Sequence, residues 1–293
     1  NLFIKMKKTN LFFLLFCISF STLFSQTYTT PNTGVNWTLD DIAAISPATI
    51  TVSGSDYTLL ENLVISENDT VIIDSDLVLS IDLDLLITVF GTFNVDSNSV
   101  TITALNQAAP YQGLRFEEFS EINIQNTTIE YGGGLRVLTE TFTLNNCTIS
   151  NNVEGGATTG AVISLSRGLP QITNNTITLN ELAAIGSAAN SSVSAYIFNN
   201  HIEGNNLLNA NRPQINMGPT RVNDTLKIIQ NTIIGDPSVD FGGGIAVANL
   251  VGGTIRVIID DNIIQGNRYG LTVVGPDSFA YIRDNIIEDN NIQ

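Results

Sequence analysis

Ile172-Thr173-Asn174-Asn175-Thr176-Ile177 is one of seven versions of a single phrase. Ile124-Gln125-Asn126-Thr127-Thr128-Ile129 and Leu144-Asn145-Asn146-Cys147-Thr148-Ile149 precede it. Ile197-Phe198-Asn199-Asn200-His201-Ile202, Ile228-Ile229-Gln230-Asn231-Thr232-Ile233, Ile259-Asp260-Asp261-Asn262-Ile263-Ile264 and Ile282-Arg283-Asp284-Asn285-Ile286-Ile287 follow it. A turn residue stands three places after each closing isoleucine: Gly132, Asn152, Asn180, Asn205, Asp236, Asn267 and Asn290. The opening residues are 20, 28, 25, 31, 31 and 23 positions apart. A fixed phrase at elastic spacing describes a solenoid whose strands are constrained and whose loops are free.

Within the phrase, apolar residues alternate around a polar pair, as they do where two short strands meet at a tight corner. Asparagine suits that corner because it tolerates the left-handed conformation and bonds nearby backbone. Asparagines stacked in successive coils can also pass amide hydrogen bonds along the stack. Each coil carries a further apolar-x-apolar phrase, seen at Leu114-Arg115-Phe116, Leu135-Arg136-Val137, Ile163-Ser164-Leu165, Ile215-Asn216-Met217, Ile245-Ala246-Val247 and Leu271-Thr272-Val273. Two or three short strands per coil predict an all-β chain, a right-handed parallel β-helix running from residue 57 to 293. The segments Thr58 to Val64, Thr70 to Ile73, Leu77 to Val89 and Thr92 to Val95 supply its earlier coils. A leucine-rich repeat needs a Leu-x-x-Leu-x-Leu frame, which is absent.

Residues 26–56 are expected to form an N-terminal extension that covers the open first edge of the stack. In it, Thr38 to Ile45 reads as a short amphipathic helix, with Thr38 as N-cap and Asp40 and Asp41 in the first turn. Residues 1–25 read as a secretory signal peptide, with Lys5, Lys7 and Lys8 ahead of an apolar run that ends near Ser25. Met6 is the natural start, and Asn1 to Lys5 then lie upstream of it. The apolar run is short of the roughly 20 residues needed to span a bilayer, so no membrane span is expected in the mature chain. The chain stops within a coil at Asn291-Ile292-Gln293, so further coils are expected beyond it.

Composition narrows the partners. There are 28 acidic against 12 basic residues, giving a formal charge of -16; loss of residues 1–25 removes three lysines and no acids and takes it to -19. Nucleic acid is excluded, because phosphate binding needs Lys and Arg to displace counterions. Charged residues are only 14% and apolar ones 43%, so this is a folding chain and not an acidic disordered tail. Cys147 alone remains after export and cannot form an internal disulfide.

The Ile-x-Asn-Asn-Thr-Ile phrase resembles the right-handed parallel β-helix repeats of the pectate-lyase-like superfamily over about residues 60–293. Phe24-Ser25-Gln26 and the Asn-rich, Lys-poor coils resemble exported proteins of Bacteroidetes-type bacteria. That resemblance implies an extracellular or cell-surface protein, delivered by type IX secretion if a C-terminal sorting domain follows. The family's enzymes cleave acidic polysaccharides with clustered aspartates and Ca²⁺, or with an aspartate trio plus Gly-His-Gly and Arg-Ile-Lys elements. Neither short element occurs here, nor does Arg-x-Pro-x-x-Arg.

The most suggestive cluster is Arg115, Glu117, Glu118, Glu130, Arg136 and Glu140. Arg115 and Arg136 take the same place in consecutive coils and should point outward one strand spacing apart, where stacked guanidiniums can hold a uronate or a sulfate. Longer loops at 206–213 and 237–243 add Asn206, Arg212, Asp236 and Asp240. Asp82 and Asp84 are expected on one strand face, and Asp260, Asp261, Asp284 and Asp289 recur later; such oxygen-rich groups are the only candidates for Ca²⁺. No other cofactor is expected. His201, the only histidine, occupies an outward threonine slot and has no partner for zinc. The residues therefore favour a non-catalytic exported scaffold that binds carbohydrate or adheres, and a polysaccharide lyase or glycoside hydrolase is the alternative that the resemblance supplies.

Overall fold

The computed structural model describes residues 26–158 and 160–290; the proposed signal peptide and the last three residues lie outside that range. Every copy of the phrase folds as two strands bent at its third residue. Glu121–Gln125 is followed by Thr127–Glu130, and Tyr196–Phe198 by His201–Glu203. The residue opening the bend has φ between +49° and +59° at Asn126, Asn146, Asn174, Asn199, Gln230, Asp261 and Asp284. Only side chains that tolerate the left-handed region fit there cheaply, which is why Asn and Asp dominate the position. The apolar-x-apolar phrase supplies a third strand, as in Gly113–Phe116 and Leu135–Val137.

Repetition of these three strands builds three sheets of 10, 10 and 11 strands, in which each strand neighbours its counterparts from adjacent coils. The apolar-x-apolar strands form the first sheet, the strands before the bend the second, and those after it the third. Pairing is parallel throughout, except that Ile50–Ser53 and Asp56–Leu59 form an antiparallel hairpin in the third sheet. The protein is a parallel β-helix. Ile129, Ile149, Ile177, Ile202, Ile233, Ile264 and Ile287 are cross-strand partners in one unbroken column. The first six are fully buried, and Ile287, on the last described coil, is 47% exposed. Each buried isoleucine contributes about 1.5–3 kcal/mol, so the column is a main component of the core.

Helix α1 spans Leu39–Ile45 with Thr38 as its N-cap. Thr38 Oγ1 accepts from the Asp41 N–H at 3.2 Å and Asp41 Oδ2 accepts from the Thr38 N–H at 2.9 Å, a reciprocal capping box. Leu39 and Ile42 are buried in the core cluster, so the helix closes the end of the stack at which the sheets begin.

The stack starts earlier than residue 57. Thr27–Thr29 pairs with Asn62–Val64 in the first sheet, and Asn36–Trp37 with Thr70–Val71 in the second. These strands are too short to carry the repeated phrase, and a buried carboxylate holds the segment between them. Asp69 accepts backbone N–H groups from Asn32 at 2.8 Å, Thr33 and Gly34 at 2.9 Å and Val35 at 3.3 Å. A second difference concerns Leu77 to Val89, which is broken into Leu77–Ile81 and Leu86–Val89. Asp82 and Asp84 sit in the intervening turn, with Asp84 at φ +58°, and not on one strand face.

Burial alone would raise the Asp69 pKa, but the Thr30 hydroxyl and the N–H groups of Asn32, Val35 and Thr33 outweigh it and hold the carboxyl below the ordinary aspartate value. A depressed folded-state pKa stabilises fully above the unfolded value of about 3.9 and is lost as pH falls through the folded value. Asp69→Ala should cost about 2–4 kcal/mol in urea unfolding at pH 7, and the difference from wild type should shrink on acidification below pH 4. A pH-independent difference would mean that the charge is not what pins the first coil.

Candidate functional site

On the outer surface, strand register turns single positions into columns along the coil axis. Arg115 pairs with Arg136, and Arg136 with Ser164, in the first sheet. Arg115 Nε is ion-paired with Glu117, just past the end of its own strand, with a second contact at 3.4 Å. Arg136 Nη1 donates to Ser164 Oγ at 3.0 Å. Partial burial and the neighbouring Arg115 charge both push the Arg136 pKa down, and Glu117 opposes them. The Arg136 guanidinium thus feels both the like charge of Arg115 and the opposite charge of Glu117.

Glu130, Glu118 and Glu140 do not join this arrangement. Glu130 projects from the third sheet and accepts from the Thr103 hydroxyl at 3.2 Å. Glu118 is paired with Arg167, and Glu140 with Arg221 at 3.2 Å. Proximity in sequence misled here because a coil turns through three faces in about 25 residues.

One loop residue does reach the same sheet. The segment between His201–Glu203 and Ile215–Met217 crosses from the third sheet back to the first, and in it Asn206 Nδ2 donates to the Ala210 carbonyl at 2.7 Å. Arg212, at the end of that loop, lies over Gly160 so closely that a Cβ on the glycine would collide with its guanidinium. There it borders a cleft of about 350 Å³ whose other walls include Ser164, Gly186, Ser187 and Asn216. Ser164 also holds Arg136, so the column and the loop face the same depression. Among the described residues, the Arg212 guanidinium has no ion-pair partner. Asp240 belongs to the neighbouring loop, which is tied to this one by the Phe241 N–H donating to Asn209 Oδ1 at 2.9 Å, but it does not line the cleft.

Ser164, Gly186 and Asn216 escaped the sequence reading. The signal was present: they fill the outward slot after Arg115 and Arg136 in the same column, and the change from Arg to small residues marks where the surface sinks.

The remaining candidates are explained by the fold. His201 Nε2 lies 2.7 Å from Glu203 on an exposed strand. Asp261, Asp284 and Asp289 all have positive φ, so their residue type answers to backbone geometry. Asp260 is held by Arg283 at 2.7 Å. Among the described residues, no three His, Cys, Asp or Glu side chains are grouped to hold a metal ion. Cys147 is buried at the head of the asparagine stack, where burial pushes its thiol up to about 11 and its Sγ donates to the Asn145 carbonyl at 3.2 Å. No protein-family model, curated protein or solved structure matches the chain.

The contact between Gly160 and Arg212 can be tested by a double-mutant cycle. Gly160 has φ +85°, so Gly160→Ala should cost about 1 kcal/mol or more from the backbone, plus the collision. Arg212→Ala alone should stay within about 0.5 kcal/mol of wild type. In the double variant the Gly160→Ala penalty should be smaller; strict additivity would place Arg212 elsewhere.

Proposed function

We propose that the protein is an exported, non-catalytic β-helix that binds an acidic polysaccharide across the outer face of its first sheet. The observation that carries this reading is the small-residue cleft that Arg212 borders and whose Ser164 accepts from Arg136, the outward strand neighbour of Arg115. Guanidiniums present planar, paired donors that match a carboxylate or a sulfate ester. Ser164 and Asn216 add neutral partners for sugar hydroxyls.

The overall charge of -16 does not decide against an acidic ligand. At about 0.1 M salt the screening length is ~10 Å, so a bound anion responds to the local arginines far more than to acids on other coils. The parallel β-helix itself supports a surface or carbohydrate-related role only in general terms, since one fold hosts many functions. Catalysis is not part of the proposal because, among the described residues lining the cleft, no two side chains form an acid–base pair.

The test is retention of the intact chain on immobilised uronate-bearing and sulfated glycans, with reducing ends and unsaturated products assayed in parallel. Wild type should be retained, weakly above about 0.5 M salt, without product. Arg136→Ala and Arg212→Ala should each weaken retention about tenfold. Product formation, or retention indifferent to both substitutions, would overturn the proposal.

A further inference from the structure

A larger groove lies on a different face. Its volume is about 710 Å³, within the roughly 300–1,000 Å³ of small-ligand sites. It follows the outer surface of the second sheet over the last coils. One outward column there reads Asn94, Asn123, Thr143, Gln171, Tyr196, Lys227, Ile258 and Tyr281. Up to Gln171 every member is polar and uncharged. From Tyr196 onward the column carries two tyrosines and Ile258 with Lys227 between them, and its neighbour changes from Asn145 and Thr173 to Phe198 and Ile229. These slots face water, so the core does not require the change.

The rings are held in place. Tyr196 stacks on Phe198 with centroids 5.3 Å apart and planes 13° from parallel. The Arg283 guanidinium covers Tyr281 at 5.2 Å from its centroid, and Asp260 fixes Arg283 through bonds of 2.9 and 2.7 Å to one oxygen. Ordering these side chains in advance reduces the entropy lost when a ligand arrives. Loop residues Asn223, Asp224 and Thr225 add hydrogen-bonding groups along the groove.

We propose that this groove is a second binding site, separate from the arginine cleft, and that it takes a neutral pyranose chain lying along the coil axis. A sugar ring has an apolar face that stacks on tyrosine and a rim of hydroxyls that both donate and accept. The groove supplies both halves, with Tyr196 and Tyr281 for the faces and Gln171, Asn223, Thr225 and Lys227 for the rims. Its other charges are already paired, Asp260 with Arg283 and Asp224 with Arg221 at 3.2 Å. Among the described residues, that leaves the Lys227 ammonium as the one charged group lining the groove without an ion-pair partner. The tyrosines are three strand steps apart, about 14 Å, so the ligand is a chain and not a single sugar.

The test is affinity electrophoresis of the intact chain in gels containing a soluble β-glucan, a xylan or a mannan, with alginate as the acidic control. At least one neutral glycan should retard the wild type. Tyr196→Ala and Tyr281→Ala should each weaken that retardation about tenfold, and Tyr196→Phe and Tyr281→Phe should restore it. Oligomers of the effective glycan should compete better with length until both tyrosines are spanned. Arg136→Ala and Arg212→Ala should leave neutral retardation unchanged, which separates this site from the first. Retardation by none of the three neutral glycans, or retardation that survives both alanine variants with unfolding midpoints unaltered, would overturn the proposal. So would retardation by alginate alone that depends on Tyr196.

Discussion

The buried amide ladder at the bend between the second and third sheets is the interaction on which the rest of the structure depends. Asn175, Asn200, Asn231, Asn262 and Asn285 stand one above another in successive coils. From Asn200 onward, each Oδ1 accepts both the backbone N–H and the Nδ2–H of the asparagine in the preceding coil, at 2.8 to 3.0 Å, and Asn175 Oδ1 accepts the Cys147 N–H at 2.8 Å. Nδ2 also returns a bond to a carbonyl of the preceding coil, as from Asn200 to Ile172 at 2.9 Å. A tight bend buries backbone groups that no sheet partner can reach, and leaving each unpaired would cost about 1–3 kcal/mol. The ladder satisfies them with one side chain per coil. Any slip between coils would break all of its bonds at once.

Fixed register has a functional consequence. Each outward slot recurs at the same height in every coil, so a binding surface can be written as a column of residues far apart in sequence. Arg115, Arg136 and Ser164 form one such column, and Tyr196, Lys227, Ile258 and Tyr281 another. The crossing from the third sheet to the first bears no comparable constraint over residues 204–214. Its length has grown there, and that growth delivers Arg212 to the first sheet. A second ladder, Asn152 to Asn180 to Asn205, is interrupted where Asp236 replaces asparagine and accepts from Ser238 instead, and it resumes from Asn267 to Asn290. The loop after Asp236 is correspondingly long.

What could be read from the sequence followed the period. The isoleucine column, the left-handed bend, the stacked amides, the capped helix and the Arg115–Arg136 stack all repeat or carry a local signature. Thr27–Thr29 and Asn36–Trp37 were missed because strands of two or three residues hold no period, and Asp69, which pins them, lies more than 30 positions away. The placing of Arg212 beside Ser164 depends on a loop path that no repeat encodes. Tyr196 and Tyr281 were overlooked for the opposite reason. They sit within or beside the repeated phrase at positions that vary freely, and only pairing of the coils shows that the variation is concentrated on one face.

The measurement that tests the ladder most directly compares Asn200→Ala with Asn199→Gly in urea unfolding at neutral pH. The two positions are adjacent in sequence, but Asn200 is buried in the ladder, whereas Asn199 is at the bend with φ +53° and makes an exposed bond to Asn174 at 2.8 Å. Glycine keeps the left-handed bend, so Asn199→Gly should cost less than about 1 kcal/mol. Asn200→Ala should cost about 3 kcal/mol or more, because it strands the amide groups of Asn175 and the Ile172 carbonyl. Equal costs, or a larger cost at Asn199, would show that the bend itself and not the buried amide stack holds the coils in register.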